Sequence, residues 1–505
     1  MARGSVLGFV GAAAAAVLGL ALVVVVGRGL GADGSGLFFQ GVAGFMILAG
    51  VITVGADTGL VKFLPRQLAL DRGGDVRPLL YIAAVPVLCV SALIAGLVFS
   101  QAGPISAVIG GSQHADMAGY VRIFAPMLVV GALAAIALQA IRGFHSLMPF
   151  VVLQNVLVPG LRVAFVGAAV ALGLGTTAVA VGWAVPLLIA GALAASVVHR
   201  RLRALDARLR ADSDVTPRGE LARSFWSFSV PRGIATALDL ALTWSDVLIV
   251  GALLSVREAG IYAVVSRFAT TGTLGLQAVR LAMAPRLSAL LATGRVQEAG
   301  DVYRASTVWV IASSWPLYLA MAAFGPAFLR MLGPDFVAGG TALAIISLGM
   351  LVNVGTGGVQ TVLLMAGRSG WVMANKAAAL TVNVALNLLL VPAFGIAGAA
   401  ASWAVAMAVD NLAALAEVRL SLGLSPHGLG AATSAICSVA TFGVIGLLAR
   451  WVAGPSVTAL LTYLLLAASA YAVLLWTQRG ALDVPALRDM VPHRRQEALP
   501  QGGNR

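Results

Sequence analysis

The sequence contains few charged residues and few cysteines, and each scarcity excludes a class of protein. Charged residues make up only 10% of the 505 residues, whereas soluble proteins average about 25%. So few charges cannot cover a surface in contact with water, which excludes a large soluble protein. The two cysteines, Cys89 and Cys437, form no C-x-x-C pair or Cys/His cluster, so neither a disulfide scaffold nor structural zinc is expected.

Motifs that bind nucleotides or metals, or that carry a catalytic nucleophile, are also missing. The sequence has no P-loop, no H-E-x-x-H motif and no G-x-S-x-G elbow. The glycine-rich run at 27–31 follows an apolar helix instead of a strand, so it is not a dinucleotide site. We therefore expect no cofactor, no metal site and no enzymatic activity.

Long apolar runs, by contrast, fill the chain from one end to the other. Hydrophobic residues account for 60% of it, and a bilayer core of about 30 Å needs about 20 apolar residues per helix. The first run, 6–26, is too long for the apolar part of a signal peptide. We predict an all-α polytopic membrane protein with fourteen spans, at 5–27, 37–59, 79–100, 119–141, 150–172, 177–198, 227–252, 260–282, 304–325, 339–365, 371–391, 395–417, 429–449 and 456–476.

The basic residues divide unevenly between the predicted loops. The formal net charge is +13, and with both termini inside, 23 of the 33 Lys and Arg residues fall in cytoplasmic segments. Only Arg28, Arg257, Arg330 and Arg450 fall in external segments. This asymmetry follows the positive-inside rule and predicts a multi-pass protein of the bacterial inner membrane with both termini cytoplasmic. Because the basic residues lie in short loops, no nucleic-acid partner is expected.

The second half of the chain repeats features of the first half. An Asn precedes a Trp by 28 residues in both, as Asn155 and Trp183 and as Asn375 and Trp403. Two copies with the same order and an even number of helices are parallel repeats, which are common in transporters. We predict an N-terminal six-helix lobe, a basic cytoplasmic linker, a C-terminal six-helix lobe, two additional helices and a flexible cytoplasmic tail, at 1–198, 199–224, 225–420, 421–477 and 478–505.

Three charged residues share one face of the span 227–252. Arg232, Asp239 and Asp246 are spaced by seven residues, which is nearly two helical turns. Charges inside a membrane usually face a cavity or a partner. The stripe therefore indicates either a cavity wall with an ion-coupling carboxylate, with Asp239 as the deepest candidate, or a structural salt bridge to a residue such as Arg267. Asp246 is a second candidate for ion coupling.

Other polar residues within the spans predict a cationic cavity. Guanidinium groups bind phosphate bidentately, so Arg162 and Arg267 are suited to a diphosphate or another anionic headgroup. The remaining candidates are two further cations, three cavity amides and a third coupling carboxylate that a neighbouring cation could pair, namely Arg122, Lys376, Asn155, Asn383, Asn387 and Asp410. The alternative for Arg122, Arg280 and Lys376 is snorkelling toward the nearer membrane surface, and we favour it for Arg280.

Several short motifs resemble those of one family of exporters. They are the glycine-rich run at 27–31, Gly-Leu-Phe at 36–38, the basic stretch 62–66, Gly-Ile-Tyr-Ala at 260–263 and the run at 394–400. In this order and spacing the chain resembles the Wzx-type polysaccharide flippases of the multidrug/oligosaccharidyl-lipid/polysaccharide superfamily over nearly its whole length. The resemblance implies a MATE-like fold of two six-helix lobes plus two further helices.

The resemblance also implies a substrate and a mechanism. The substrate would be a polyprenyl-diphosphate-linked oligosaccharide, moved from the cytoplasmic to the outer leaflet by alternating access. Membrane lipids, and possible polymerase or glycosyltransferase partners, would surround the protein. Three alternatives stay open: a cation-coupled antiporter in which Asp239, Asp246 and Asp410 dominate, a membrane enzyme, and a non-transporting subunit of an envelope complex.

Overall fold

The computed structural model describes residues 2–207 and 216–478, and within those ranges the chain is helical and contains no strand. Lipid cannot hydrogen-bond the backbone, so helices that satisfy their own peptide groups are the expected solution. The helices, in chain order α1 to α18, are Ala2–Ile52, Ala56–Ala69, Val76–Ser100, Ala102–Ile109, His114–Gly143, Leu147–Val151, Val158–Ala171, Gly175–Asp206, Arg218–Leu253, Val256–Thr270, Leu274–Ala292, Val296–Leu332, Gly340–Gly355, Val359–Met365, Ser369–Leu422, Leu429–Ser438, Ile445–Ala453 and Val457–Thr477.

Two helices are each long enough to cross a bilayer twice. Helices α1 and α15 contain 51 and 54 residues, which at about 1.5 Å per residue is far more than one crossing needs. Each is broken at a glycine with positive φ, Gly31 at 64° and Gly395 at 58°. Glycine adopts this conformation without the strain that a Cβ would add. Each long helix covers two of the predicted spans, divided at that glycine.

Other predicted spans are interrupted within the membrane. A short 3-10 turn at Thr271–Thr273 separates α10 from α11, and π-helical segments at Val152–Leu157 and Val439–Val444 precede α7 and α17. Such irregular turns are frequent at functional sites. Among the described residues, eleven helices are long and apolar enough to cross a membrane, so the polytopic all-α fold is confirmed, whereas the count of fourteen stays a prediction.

The second segment of α1 packs closely against two helices of the C-terminal lobe. A Cβ added at Gly36 would collide with the carbonyl oxygen of Val256, and one at Gly260 would collide with that of Ala32. Small residues of this kind let membrane helices approach backbone to backbone. Just beyond the end of α1, Gly55 lies equally close to the backbone of α9 at Ser229. The seam between the lobes therefore rests on glycine along the length of this segment.

Ion pairs surround the seam near the α1 kink. Arg257 of α10 pairs with Asp33 of α1 at 3.0 Å and with Asp335 at 2.9 Å. Hydrogen bonds to Asp335 and Asp33 raise the pKa of Arg257, so this group stays charged at physiological pH. Arg28 donates to the carbonyl of Met331 at 2.7 Å. These groups join the two predicted lobes at the end that the charge asymmetry assigns to the outside.

Large apolar side chains remain exposed on the outer helices, as lipid contact requires. On α17 and α18 they include Leu447, Trp451, Leu465 and Trp476. Part of the predicted linker, 208–215, and nearly all of the predicted tail, 479–505, lie outside the described residues. The predicted lobe boundaries stay predictions.

Candidate functional site

A polar cavity opens among helices of the C-terminal lobe, and we call it the acidic cavity. Its volume is about 170 Å³. Residues of α9, α10, α13 and α15 line it, so it lies within one predicted lobe. Its polar lining includes Asp239, Thr243, Asp246, Tyr262, Arg267 and Lys376.

Asp246 is the buried carboxylate of the acidic cavity, with 2% of its surface exposed. Tyr262 donates its hydroxyl to one oxygen at 2.8 Å, and Asn387 donates its amide to the other at 2.8 Å. Asn387 also donates to the side chain of Asn383 at 3.2 Å. A buried carboxylate normally needs such donors. The structure thus brings together three residues that the sequence predicted separately.

Asp239 is more exposed than the sequence predicted. Its side chain is 55% exposed and pairs with Lys376 at 2.6 Å. Asp239 lies near the middle of the predicted span, but Asp246 is the more buried of the two, because a position near the middle of a helix does not determine what covers it. The salt bridge weighed for this stripe does form, but with Lys376 of α15 in place of Arg267.

Lys376 links Asp239 to the third candidate carboxylate, Asp410. Its ammonium lies 3.6 Å from Asp410, whose side chain is only 3% exposed. The other carboxylate oxygen of Asp410 is buried and has no hydrogen-bond partner among the described residues. Lys376 thus holds one exposed and one buried carboxylate together, and a change in its position would leave the buried one without a cation.

Arg267 stands where the acidic cavity meets a second one, which we call the junction cavity. The junction cavity, about 290 Å³, lies between Ala16, Leu20 and Val23 of α1 and the residues from Arg267 to Gln277. The guanidinium of Arg267 stacks on Trp244 at 3.9 Å and donates to the carbonyl of Thr243 at 2.7 Å. Its Nε is buried without a partner. The group therefore has donor capacity that the described residues do not use, at a residue that lines both cavities.

Arg162 has a similar setting in the N-terminal lobe. Its guanidinium stacks on the ring of Trp183 at 3.8 Å, and its Nε donates to the carbonyl of Trp183 at 3.2 Å. Phe45 and Phe124 pack edge-on against that tryptophan, each with ring centroids 5.3 Å away. A charged guanidinium is stabilised on an aromatic face. Each predicted lobe thus has an arginine inside a predicted span that stacks on a tryptophan ring.

The N-terminal lobe also holds an apolar cavity of about 260 Å³. Its lining includes Phe45, Val98, Phe124 and Leu128, with Leu248 contributed by α9. Its one amide belongs to Gln40, and both polar atoms of that side chain are buried without a partner. We call this the apolar cavity.

Arg162, like Arg122 and Asn155, lines none of the cavities described above. Arg122 is exposed on α5. Asn155 lies in the π-helical segment, close to Gly11 of α1, and no hydrogen bond joins it to Arg162 among the described residues. The structure therefore does not bring Arg122 or Asn155 to Arg267.

Sequence reasoning missed the aromatic half of the site. Neither Trp183 nor Trp244 was predicted as a platform, and Tyr262 was not predicted as a donor to Asp246. The sequence did contain a signal for the tryptophan platforms, because an arginine inside a span near tryptophans favours cation–π contact. The pairing of Tyr262 with Asp246 depends on the packing of α9 on α10, which periodicity does not specify.

Comparison with known proteins gives two matching family models. The model described as "polysaccharide biosynthesis protein" matches residues 1–291, and the model described as MatE matches residues 231–389. A curated relative from Haloferax volcanii, the "Probable low-salt glycan biosynthesis flippase Agl15", is 24% identical over 396 residues, covering 76% of each chain.

Solved structures share the fold at low sequence identity. A structure of "Lipid II flippase MurJ, inward closed conformation" has a TM-score of 0.73 and 12% identity, covering 95% of this chain and 99% of that one. An inward-facing multidrug resistance MATE family transporter has a TM-score of 0.64 and 14% identity, covering 81% of this chain and 94% of that one. The all-helical architecture of this chain is therefore that of MATE-like transporters.

Proposed function

This chain belongs to the polysaccharide biosynthesis protein family, and from that premise we propose that it flips a polyprenyl-diphosphate-linked oligosaccharide from the cytoplasmic to the outer leaflet. The match confirms the family resemblance seen in the sequence. The names of the Haloferax relative and of MurJ, a glycan biosynthesis flippase and a Lipid II flippase, support a lipid-linked substrate. The charge asymmetry of the loops supports a bacterial inner membrane location with both termini inside.

The setting of Arg267 is the observation that carries this proposal. It lines both the acidic and the junction cavity, is held by Trp244, and keeps a buried N–H without a partner. A diphosphate accepts bidentate hydrogen bonds of this kind. Arg162, on its own tryptophan, is the second cation that we propose for the headgroup. The sugars would occupy the hydrated cavity while the polyprenyl tail stays in lipid.

Resetting of the transporter is the step that we propose to couple to an ion. Asp246 is the candidate for this coupling, because it lines the acidic cavity with Arg267 and the two charges interact. Proton or cation binding at Asp246 would change the field at Arg267, and so the affinity for the anionic headgroup. The ion pairs that Lys376 forms with Asp239 and Asp410 would compensate the change in charge at Asp246 during that step.

A cation-coupled antiporter is the second candidate. It is favoured by the MatE match over residues 231–389 and by the carboxylates of the C-terminal lobe. In that case Asp246 and Asp410 would bind the transported cations directly, and the arginines would matter less than the carboxylates.

Arg162→Gln and Arg267→Gln test the proposal in proteoliposomes that contain a short-chain lipid-linked oligosaccharide. Loss of one charge-assisted contact, worth about 1.5–3 kcal/mol, predicts a fall of roughly tenfold or more in flipping at low substrate. The control is Arg295→Gln, because Arg295 is an exposed arginine paired with Glu298.

Either result is informative. Flipping at the wild-type rate by both variants, in protein that is folded and present at equal amount, would contradict the headgroup role of these arginines. Absence of flipping in the wild-type protein, with cation-driven efflux of organic cations in its place, would favour the antiporter.

A further inference from the structure

A second cavity of the C-terminal lobe, which we call the basic cavity, holds two arginines that neither proposed role uses. Its volume is about 380 Å³. It shares Asp239, Asn353 and Lys376 with the acidic cavity and extends from there toward the end of the lobe where α9 begins. Its further polar lining includes Arg232 of α9, Arg280 of α11, Gln360 of α14, and Asp410 and Asn411 of α15.

Two of its three cations are unpaired. Lys376 forms ion pairs with Asp239 and Asp410. No ion pair or side-chain hydrogen bond among the described residues involves the guanidinium of Arg232 or of Arg280, and the Nε of Arg280 is buried without a partner. Because snorkelling toward the surface would bring Arg280 to water, the burial of its Nε argues against the snorkelling predicted from the sequence.

The charges that line the basic cavity do not balance. Arg232, Arg280 and Lys376 oppose only Asp239 and Asp410, which leaves one positive charge in excess. Lys376 forms the ion pairs with both carboxylates, which act on Arg280 only from beyond ion-pair distance, so neither arginine has a direct anionic partner among the described residues. A partly buried cation without a partner is costly, and an anion between the arginines would offset that cost.

From these observations we propose that the basic cavity binds one phosphate-class oxyanion between Arg232 and Arg280. Two guanidinium groups can each donate two parallel hydrogen bonds to such an anion. The side-chain amides of Gln360 and Asn411 line the same wall. A phosphate group can come from free phosphate or from a phosphorylated lipid, and both present the same chemistry to the arginines. The site is distinct from Arg162 and Arg267 and does not depend on the flippase proposal.

Binding of radiolabelled inorganic phosphate to the purified protein in phosphatidylcholine nanodiscs tests the site. Saturable binding is expected for the wild-type chain. Arg232→Gln and Arg280→Gln should each weaken it by about tenfold or more, since each removes charge-assisted bonds. Arg232→Lys and Arg280→Lys keep the charge but lose the planar fork, so an intermediate loss is expected. Arg295→Gln should bind as the wild type does.

A second set of nanodiscs that contain polyprenyl monophosphate separates the two sources. Displacement of labelled phosphate by that lipid would assign the site to a lipid headgroup, and its failure to displace would assign it to free phosphate. Thermal unfolding of each variant shows whether it is folded, and Arg232→Gln is the safer variant because Arg280 is the more deeply placed.

Two outcomes would overturn the proposal. One is the absence of saturable binding of either phosphate probe to the wild-type protein. The other is binding that Arg267→Gln abolishes while Arg232→Gln and Arg280→Gln leave it intact. That second result would place the phosphate at Arg267 and would leave the proposed headgroup role standing.

Discussion

The apolar cavity of the N-terminal lobe and the acidic cavity of the C-terminal lobe differ in what lines them. None of the residues lining the first is charged, and its single amide, Gln40, has no partner. The second is lined by Asp239, Asp246, Arg267 and Lys376, and its buried carboxylate has a full set of donors. Both lobes are built from the same kind of helix, yet the charge is concentrated in one.

The difference suggests a division of labour between two copies of one helical plan. Charges inside a membrane are costly and are kept where they serve a function. If coupling to an ion takes place in the C-terminal lobe, the N-terminal lobe needs to supply only shape and a single cation, Arg162. Three paired measurements, one variant in each lobe, test this division.

The largest difference in unfolding free energy is expected between variants of the two lysines of the chain, Lys62 and Lys376. Lys376→Met leaves the buried carboxylate of Asp410 without its cation, which should lower the unfolding free energy by about 3 kcal/mol. Lys62 is exposed and only stacks on Phe228 at 3.7 Å, so Lys62→Met should cost less than about 1 kcal/mol.

Equilibrium unfolding in mixed micelles gives both numbers. Adding Asp410→Asn to Lys376→Met should recover much of the loss, because it removes the orphaned charge. Equal destabilisation by the two lysine variants, or no recovery in the double variant, would contradict the division between the lobes.

Substitutions of Asp246 and Gln40 are expected to change the unfolding free energy in opposite directions. Asp246→Ala leaves the Tyr262 hydroxyl and the Asn387 amide without their acceptor, which should cost about 1–3 kcal/mol. Gln40→Leu removes an amide that has no partner, so it should be neutral or stabilising by about 1 kcal/mol. Thermal unfolding in detergent checks the signs, and a destabilised Gln40→Leu would show that the apolar cavity needs its amide.

The smallest change in stability is expected at the feature that the two lobes share, an arginine stacked on a tryptophan. Arg162→Lys and Arg267→Lys keep the charge but lose most of the stacking on Trp183 and Trp244, which is worth about 0.5–1 kcal/mol at each site. Similar losses of stability, with a flipping rate reduced by about fivefold or less, would indicate equivalent platforms. A loss confined to Arg267→Lys, measured in the same proteoliposomes, would assign the headgroup to the C-terminal lobe alone.

The fold class could be predicted from the sequence because lipid allows few solutions. Apolar runs of sufficient length must be helices, and the predicted spans are helical over most of their length, with turns at 53–55 inside the second and at 356–358 inside the tenth. The break between α10 and α11 and the π-helical segments were not predicted, because they depend on how neighbouring helices pack. Periodicity reports on one helix at a time.

The sequence identified residues of the candidate site but not which of them contact each other. Asp246, Asn383 and Asn387 were each identified as polar positions within a span. That Asn387 donates to Asp246, 141 positions away, follows from the packing of α15 on α9. The difference in burial between Asp239 and Asp246 was not predicted for the same reason, since burial depends on what covers a helix.

The glycine contacts between α1 and α10 have a mechanical consequence. At Gly36 and Gly260 the backbones of α1 and α10 meet directly, so these two positions place no bulky side chain in the way when the lobes part. The peptide groups are already bonded within their own helices, and the ion pairs at this end, such as Arg257 to Asp33, are exposed and each worth about 1 kcal/mol or less. The contacts at the outer end of the seam therefore oppose opening only weakly. Binding of the anionic substrate, more than these contacts, would determine when the lobes separate there.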